Sequence, residues 1–194
     1  MRGIEQIPWL YDALMAVVDA CGLGRWRRRL VGGAGGRTME VGCGTGINLP
    51  YYPAGLEVIG VDPDPHALRR ARRRAPHIPL VAARAEALPF RAGTFDTVVS
   101  SLVFCSVEDP ALGLAETRRV LRPEGELRMM EHVRHTRPGW AAFQDRIQPV
   151  WTLLTGGCHP NRDTENMVEQ AGFRIQESGR VSRGVMRRFA ARVR

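Results

Sequence analysis

The sequence contains no lysine. All 28 basic residues are arginine, so Schiff-base and lysine-nucleophile chemistry are excluded. Against 20 acidic residues the arginines leave a formal charge of +8. That charge has two readings, a GC-rich genome that favours arginine codons or a surface that meets an anionic membrane or nucleic acid. The scatter of the arginines through helix-like and turn-like segments favours codon bias. Cysteine is sparse as well. Cys21, Cys43, Cys105 and Cys158 are far apart and form no CxxC pair, so neither a zinc knuckle nor a redox dithiol is signalled. A reduced, intracellular protein is expected. No segment reaches the roughly 18 consecutive apolar residues of a spanning helix, and the N-terminus has no basic region followed by an apolar run and a cleavage site. The expectation is a soluble, cytoplasmic chain.

The composition that remains is ordinary, 44% hydrophobic and 25% charged over 194 residues, which suits one domain (1–194) with a sizeable core. Its organising stretch is Met39 to Gly46, Met-Glu-Val-Gly-Cys-Gly-Thr-Gly. Three alternating glycines after a short strand permit positive φ and let peptide N–H groups approach a ligand closely. Glu40 adds an acceptor beside those donors. Such a turn also serves phosphates and dinucleotides, so alone it leaves several ligand classes open. Leu56 to Val61 reads as a second strand ending on Asp62, 22 residues after Glu40, a spacing at which an acidic residue reaches a ribose hydroxyl pair.

Strand and helix then alternate: a helix capped by Asp64, a strand Leu80–Ala83, a strand Phe95–Ser100, a helix Pro110–Leu121 and a strand Glu126–Met130. Alternation predicts a parallel sheet with right-handed crossovers. Before this core (37–133), residues 1–36 read as a helical segment over the cleft, with Leu10, Leu14, Val17, Val18 and Cys21 on one stripe and a break at Gly22 and Gly24. Its aromatics and the run Arg27-Arg28-Arg29 fit either a solvated basic end or a contact with an anionic membrane surface. The run Arg69, Arg70, Arg72, Arg73 and Arg74 reads as a solvated helix face. Residues 134–194 read as an apolar helical insert, Trp140 to Leu154, interrupted by Pro149, followed by a short helix and two antiparallel strands, Phe173–Glu177 and Val185–Arg192.

In order, Glu40-Val41-Gly42-Cys43-Gly44-Thr45-Gly46, Val61-Asp62, Ala85-Glu86-Ala87-Leu88-Pro89-Phe90, Phe95-Asp96-Thr97-Val98-Val99 and Leu121-Arg122-Pro123-Glu124-Gly125 resemble the class I S-adenosylmethionine-dependent methyltransferases. The resemblance implies a Rossmann-like, seven-stranded, mostly parallel sheet with strand 7 antiparallel and helices on both faces. It implies S-adenosylmethionine across the carboxyl ends of strands 1 to 3. The residues it marks for the cofactor are Glu40, Gly42, Cys43, Gly44, Gly46, Asn48, Asp62, Pro63, Ala85, Glu86, Ser101 and Leu102. Arg84 stands where many members carry an acidic adenine contact, which leaves adenine to the backbone around Ala85. The turn is GxGxG and not GxGxxG opening a long helix, which argues against a pyrophosphate.

A narrower likeness, through Asn48–Pro53, Leu102–Val107, Glu131-His132-Val133 and Pro149–Cys158, resembles the alkyl-thiol methyltransferases and implies a small lipophilic thiol as acceptor. N-methylation of a phospholipid headgroup, C-methylation of a quinone and a non-catalytic cofactor-binding protein stay open. His132, with Glu131 beside it, is the catalytic candidate, because a thiol needs only modest help to ionise. Tyr51, Phe104, Cys105, Trp140, Phe143 and Trp151 would line an apolar acceptor pocket, with ordinary core packing as the competing reading. His132 and His135 lack a third ligand, so no metal is expected. No Asn-Pro-Pro-aromatic motif follows strand 4, and no nucleic-acid partner is expected.

Overall fold

The computed structural model describes Gly3 and residues 7–194; residues 1, 2 and 4–6 of the expected N-terminal segment lie outside the described part. The strands are β1 (Thr38–Val41), β2 (Val58–Asp62), β3 (Leu80–Ala82), β4 (Phe95–Ser101), β5 (Leu121–His132), β6 (Phe173–Arg183) and β7 (Met186–Val193). They form one sheet in the order β3-β2-β1-β4-β5-β7-β6. β1 to β5 are parallel, and β7 runs antiparallel between β5 and β6. The helices are α1 (Pro8–Val18), α2 (Gly24–Val31), α3 (Pro65–Arg74), α4 (Pro110–Val120), α5 (Pro138–Thr155) and α6 (Thr164–Gln170). This is the expected α/β, Rossmann-like architecture.

Strand pleating sends successive side chains to opposite faces. Val98 and Met129 join Met39, Val41, Val61, Leu114 and Val120 in a core under α4 and α6. Their neighbours Val99 and Met130 instead meet Leu30 and Val31 of α2. Val58, Leu49, Ala71 and Ala75 seat α3, and Tyr52 and Leu56 bridge that cluster to the α2 side. Central strands covered on both faces therefore bury side chains on both, mostly apolar ones, with Thr38, Glu40, Thr97 and Ser100 buried among them. Asp64, Asp109 and Asp163 start α3, α4 and α6 by accepting from the N–H groups of His66, Leu112 and Asn166, which satisfies donors that a helix start leaves open.

The N-terminal segment breaks at Gly22 (φ 119°), inside a π-helical turn over Asp19–Leu23. Its basic end is not solvated as a whole: Arg27 is buried. Nor is the α3 arginine face all solvent, since Arg70 and Arg74 both reach the Asp12 carboxylate of α1, at 2.8 and 3.3 Å. They fasten α1 across the start of the cleft. α5 passes through Pro149 without a break. Pro149 is exposed, so water can meet the carbonyl that loses its partner there. Only Ala141 and Gln144 of α5 are buried. Gln144 pins the helix to the sheet by accepting from His135 N–H and donating to the Val133 and Pro160 carbonyls. β5 and β6 both run longer than expected. No helix among the described residues is long and apolar enough to cross a membrane.

Candidate active site

A cavity of about 710 Å³ opens over the carboxyl ends of β1, β2, β4 and β5, at the point where strand order reverses between β1 and β4. Doubly wound sheets bind ligands there, because the crossovers on either side of the reversal leave a crevice. Pro8, Tyr11, Met15 and Val18 of α1 roof it; Leu23, Arg27 and the glycine turn form one wall, and Trp151, Gly156 and Cys158 close the far end.

One end is polar. Glu40 is buried at the tip of β1, where its Oε1 accepts from Asn48 Nδ2 at 2.7 Å. Its Oε2 makes no hydrogen bond of good geometry among the described residues, with the Tyr52 hydroxyl, itself otherwise unpaired, the neighbouring donor. Burial pushes the Glu40 carboxyl up to about 7, opposed first by the Asn48 amide. Arg27 holds this group from behind. Its Nη1 donates to Asn48 Oδ1 at 3.1 Å and to Ser101 Oγ at 3.0 Å, and its Nε pairs with Asp19 at 2.9 Å. Arg27 was not among the expected site residues, although Leu23, Arg27, Leu30 and Val31 fall on one helical stripe. An arginine on an apolar stripe is the signal that would have found it.

At the end of β2, Asp62 accepts from Gly44 N–H at 2.8 Å through Oδ2 and from Asp64 N–H at 2.9 Å through Oδ1. Burial raises its carboxyl, and those two N–H groups pull it back down. Cys43, Pro63, Ala85, Glu86 and Leu102 also line the cavity. Leu102 is the one non-glycine with positive φ (60°) among the described residues, a strained turn that brings the chain after β4 back over the cleft. Arg84 is bound by Glu86 and Glu108 at the rim. The glycines divide by role. Gly42 (φ 65°) has no room for a β-carbon, which would lie 2.4 Å from Val103 Cγ2. Gly46, expected to touch cofactor, is absent from the cavity wall; a β-carbon there would meet Ala71 of α3 at 2.9 Å, so it serves helix packing.

The other end is apolar. His132 faces it from the tip of β5, with the Trp151 ring 6.5 Å away. Cys105, Cys158, Ser106 and Met186 complete the wall. Glu131 does not reach the cavity. It is fully buried, and its Oε1 accepts from Ser100 Oγ, Val103 N–H and Phe104 N–H at 3.0, 3.0 and 3.3 Å. Alternation along β5 turns it under the loop that it braces, and burial raises its carboxyl to about 7. Four expected pocket aromatics also lie elsewhere. Phe104, 1% exposed, packs in the core, and Tyr51 lies outside under the Arg28 guanidinium. Trp140 and Phe143, 57% and 51% exposed, stack edge to face on the outer side of α5. Trp151 and Cys105 do line the cavity.

A methyltransferase domain model matches residues 39–129. The chain is 30% identical over 160 residues to the phosphatidylethanolamine N-methyltransferase of Cereibacter sphaeroides, covering 79% of this chain and 78% of that one. The chain belongs to the S-adenosylmethionine-dependent methyltransferases. It is also 38% identical over 151 residues to human thiol S-methyltransferase TMT1B, covering 73% of this chain but only 62% of that protein's length. A solved SAM-dependent methyltransferase of Thermotoga maritima, described as a possible histamine N-methyltransferase, superposes over 98% of both chains with TM-score 0.75 and 20% identity. The cofactor of this methyltransferase is S-adenosylmethionine, which when bound supplies an electrophilic methyl group on a sulfonium. The residues present fit it. The buried Glu40 carboxyl lines the cavity with spare acceptor capacity for a cationic donor, and the cavity volume falls in the usual ligand range of roughly 300–1,000 Å³.

Proposed function

We propose that this methyltransferase methylates the sulfur of a small lipophilic thiol. The observation that carries the reading is the apolar end of the cavity, where His132 is set among Trp151, Met186, Cys105 and Cys158. A thiol has an ordinary pKa near 8.5 and needs only a weak base. His132 takes that proton while the walls hold donor and acceptor in line in a site with little water. Glu40, positioned by Asn48, receives the methionyl ammonium, Asp62 the ribose hydroxyls, and the Ala85–Glu86 segment the adenine. In this reading residues 37–133 hold cofactor and 134–194 shape the acceptor end. Similarity to the human thiol S-methyltransferase supports the acceptor class.

The protein works in the cytoplasm on this reading, and exposed Trp9, Val17, Val150, Leu153 and Leu154 on the two helices beside the cavity mouth suit peripheral contact with an anionic bilayer. A second reading, N-methylation of a phospholipid headgroup, is favoured by the same exposed helices and by the Cereibacter relative. Release of S-adenosylhomocysteine across a panel of alkyl thiols, amines, quinones and phosphatidylethanolamine vesicles separates them. Turnover of alkyl thiols, lost in His132→Gln without loss of cofactor binding, is expected. Turnover of the vesicles but of no thiol would overturn the first reading.

A further inference from the structure

Two of the four cysteines meet where the proposed acceptor binds. Cys105 lies in the loop after β4 and Cys158 in the loop after α5, and both are thiols, buried from outside yet lining the cavity. The Cys158 sulfur shares the cavity wall with the Cys105 thiol, His132 and Trp151, and the three act on its ionisation. The two loops are fixed to one another, since His159 N–H donates to the Cys105 carbonyl at 2.8 Å. Cys158 itself is held at both backbone groups, its N–H by Thr155 Oγ1 at 3.2 Å and its carbonyl by Thr152 Oγ1 at 2.8 Å. Arg162, half-buried behind the pair, donates to the Phe104 and Val107 carbonyls and sets its positive charge near both sulfurs. Methyl transfer as proposed above uses neither thiol.

We propose that Cys105 and Cys158 are a redox-active dithiol that exchanges with low-molecular-weight disulfides entering the acceptor end of the cavity. The proposal rests on the thiol reading, because the oxidised form of a thiol acceptor carries the same substituents and fits the same apolar walls. Cys158 is the attacking sulfur: hydrogen bonding from Cys105, and then from His132 and Trp151, draws its pKa down. A thiolate, not a thiol, attacks a disulfide. The Cys158 thiolate forms a bond to one sulfur of the disulfide and expels the other as a thiolate, which takes up a proton. Cys105 then loses its proton to the medium through His132 and attacks Cys158, expelling the second thiolate. The small disulfide gains two electrons and leaves as two thiols; the dithiol loses them and closes as a Cys105–Cys158 disulfide. A reducing dithiol restores the pair. One released thiol is formed beside His132, and the cross-link then stiffens the wall where the next acceptor binds.

Cys43 and Cys21 frame the specificity. Cys43 also lines the cavity, at its polar end, but burial, with Glu40 and Asp62 adding to it, pushes its thiol well up, which leaves it unreactive. Cys21 is exposed and far along the chain from both partners.

The test uses the full chain with bis(2-hydroxyethyl) disulfide and no S-adenosylmethionine, so that it does not depend on methyl transfer. Released mercaptoethanol is counted, and the disulfides are mapped by mass spectrometry of unreduced peptides. The expected result is about two thiols released per chain with a Cys105–Cys158 cross-link. Cys105→Ala should stop at about one thiol, with the mixed disulfide retained on Cys158. Cys158→Ala should slow release at least about tenfold, and Cys21→Ser should change neither yield nor rate. Calorimetry with S-adenosylhomocysteine verifies that each variant is folded. No cross-link in the wild type, reaction confined to Cys21, or a Cys158→Ala variant as fast as wild type would each overturn the proposal. If the cross-link forms while the acceptor panel finds no thiol substrate, the acceptor reading fails and the dithiol stands.

Discussion

Arg27→Met tests whether one buried guanidinium joins the N-terminal segment to the cofactor end. Methionine keeps most of the volume and the apolar stem, so packing changes little and the loss is polar. Asn48 Oδ1 and Ser101 Oγ each lose a buried charge-assisted partner, at about 1.5 kcal/mol apiece. Asp19 loses its ion pair. Breaking a fully buried pair costs about 3–5 kcal/mol, but the Asp19 side chain is 18% exposed and water recovers part of that, leaving about 1 kcal/mol. The total is about 4 kcal/mol of unfolding free energy, read from chemical denaturation as a lower midpoint with unchanged slope. Asn48 also positions Glu40, so the affinity for S-adenosylhomocysteine should fall about tenfold, or about 1.4 kcal/mol. A stability loss below about 0.5 kcal/mol together with unchanged affinity would refute the assigned role of Arg27.

Three further outcomes are expected. Asp62→Ala should weaken S-adenosylhomocysteine binding by on the order of 100-fold in calorimetry, from two lost charge-assisted hydrogen bonds of about 1.5 kcal/mol each; equal affinity would remove Asp62 from the site. Gly42→Ala should destabilise more than Gly44→Ala by about 1–3 kcal/mol, because both have positive φ but only Gly42 meets a side chain, Val103, while Gly44 faces open space. Glu131, with its carboxyl at about 7 against an ordinary 4.5, is protonated more readily folded than unfolded. Its contribution is therefore full below the unfolded value, falls as pH rises from about 4.5 to 7 and is flat above. Unfolding free energy measured between pH 5 and 8 should fall less steeply in Glu131→Gln than in the wild type, and an identical slope would contradict that burial.

The parts of the site that were legible in sequence are those whose chemistry is local. Gly42 and Gly44 announce a backbone turn, Asp62 ends its strand beside them, and the strand-helix alternation needs only side-chain periodicity. The helix cap at Asp64 is legible for the same reason, since its bond spans two residues. What failed depended on partners distant in sequence. Arg27 belongs to a run that reads as surface charge, yet Asn48 and Ser101 draw it inside. Phe104 and Glu131 sit one residue from cavity-lining neighbours, and strand and loop geometry turned both away. Trp140 and Phe143 lie on the same helix as Trp151, but α5 crosses the sheet edge with its outer face to solvent.

The sequence by itself determined the alternation of strand and helix, the glycine turn and the acidic end of β2, because backbone conformation and short-range hydrogen bonding are set by neighbouring residues. Only the tertiary structure decided that Arg70 and Arg74 tie α1 over the cleft through Asp12, that Gly46 packs against α3, and that Cys105 and Cys158 share one wall. The first two arise where α1 and the glycine turn pack on α3, and the third where the loops after β4 and α5 meet at the sheet's carboxyl edge. No periodicity in one chain encodes where such elements converge.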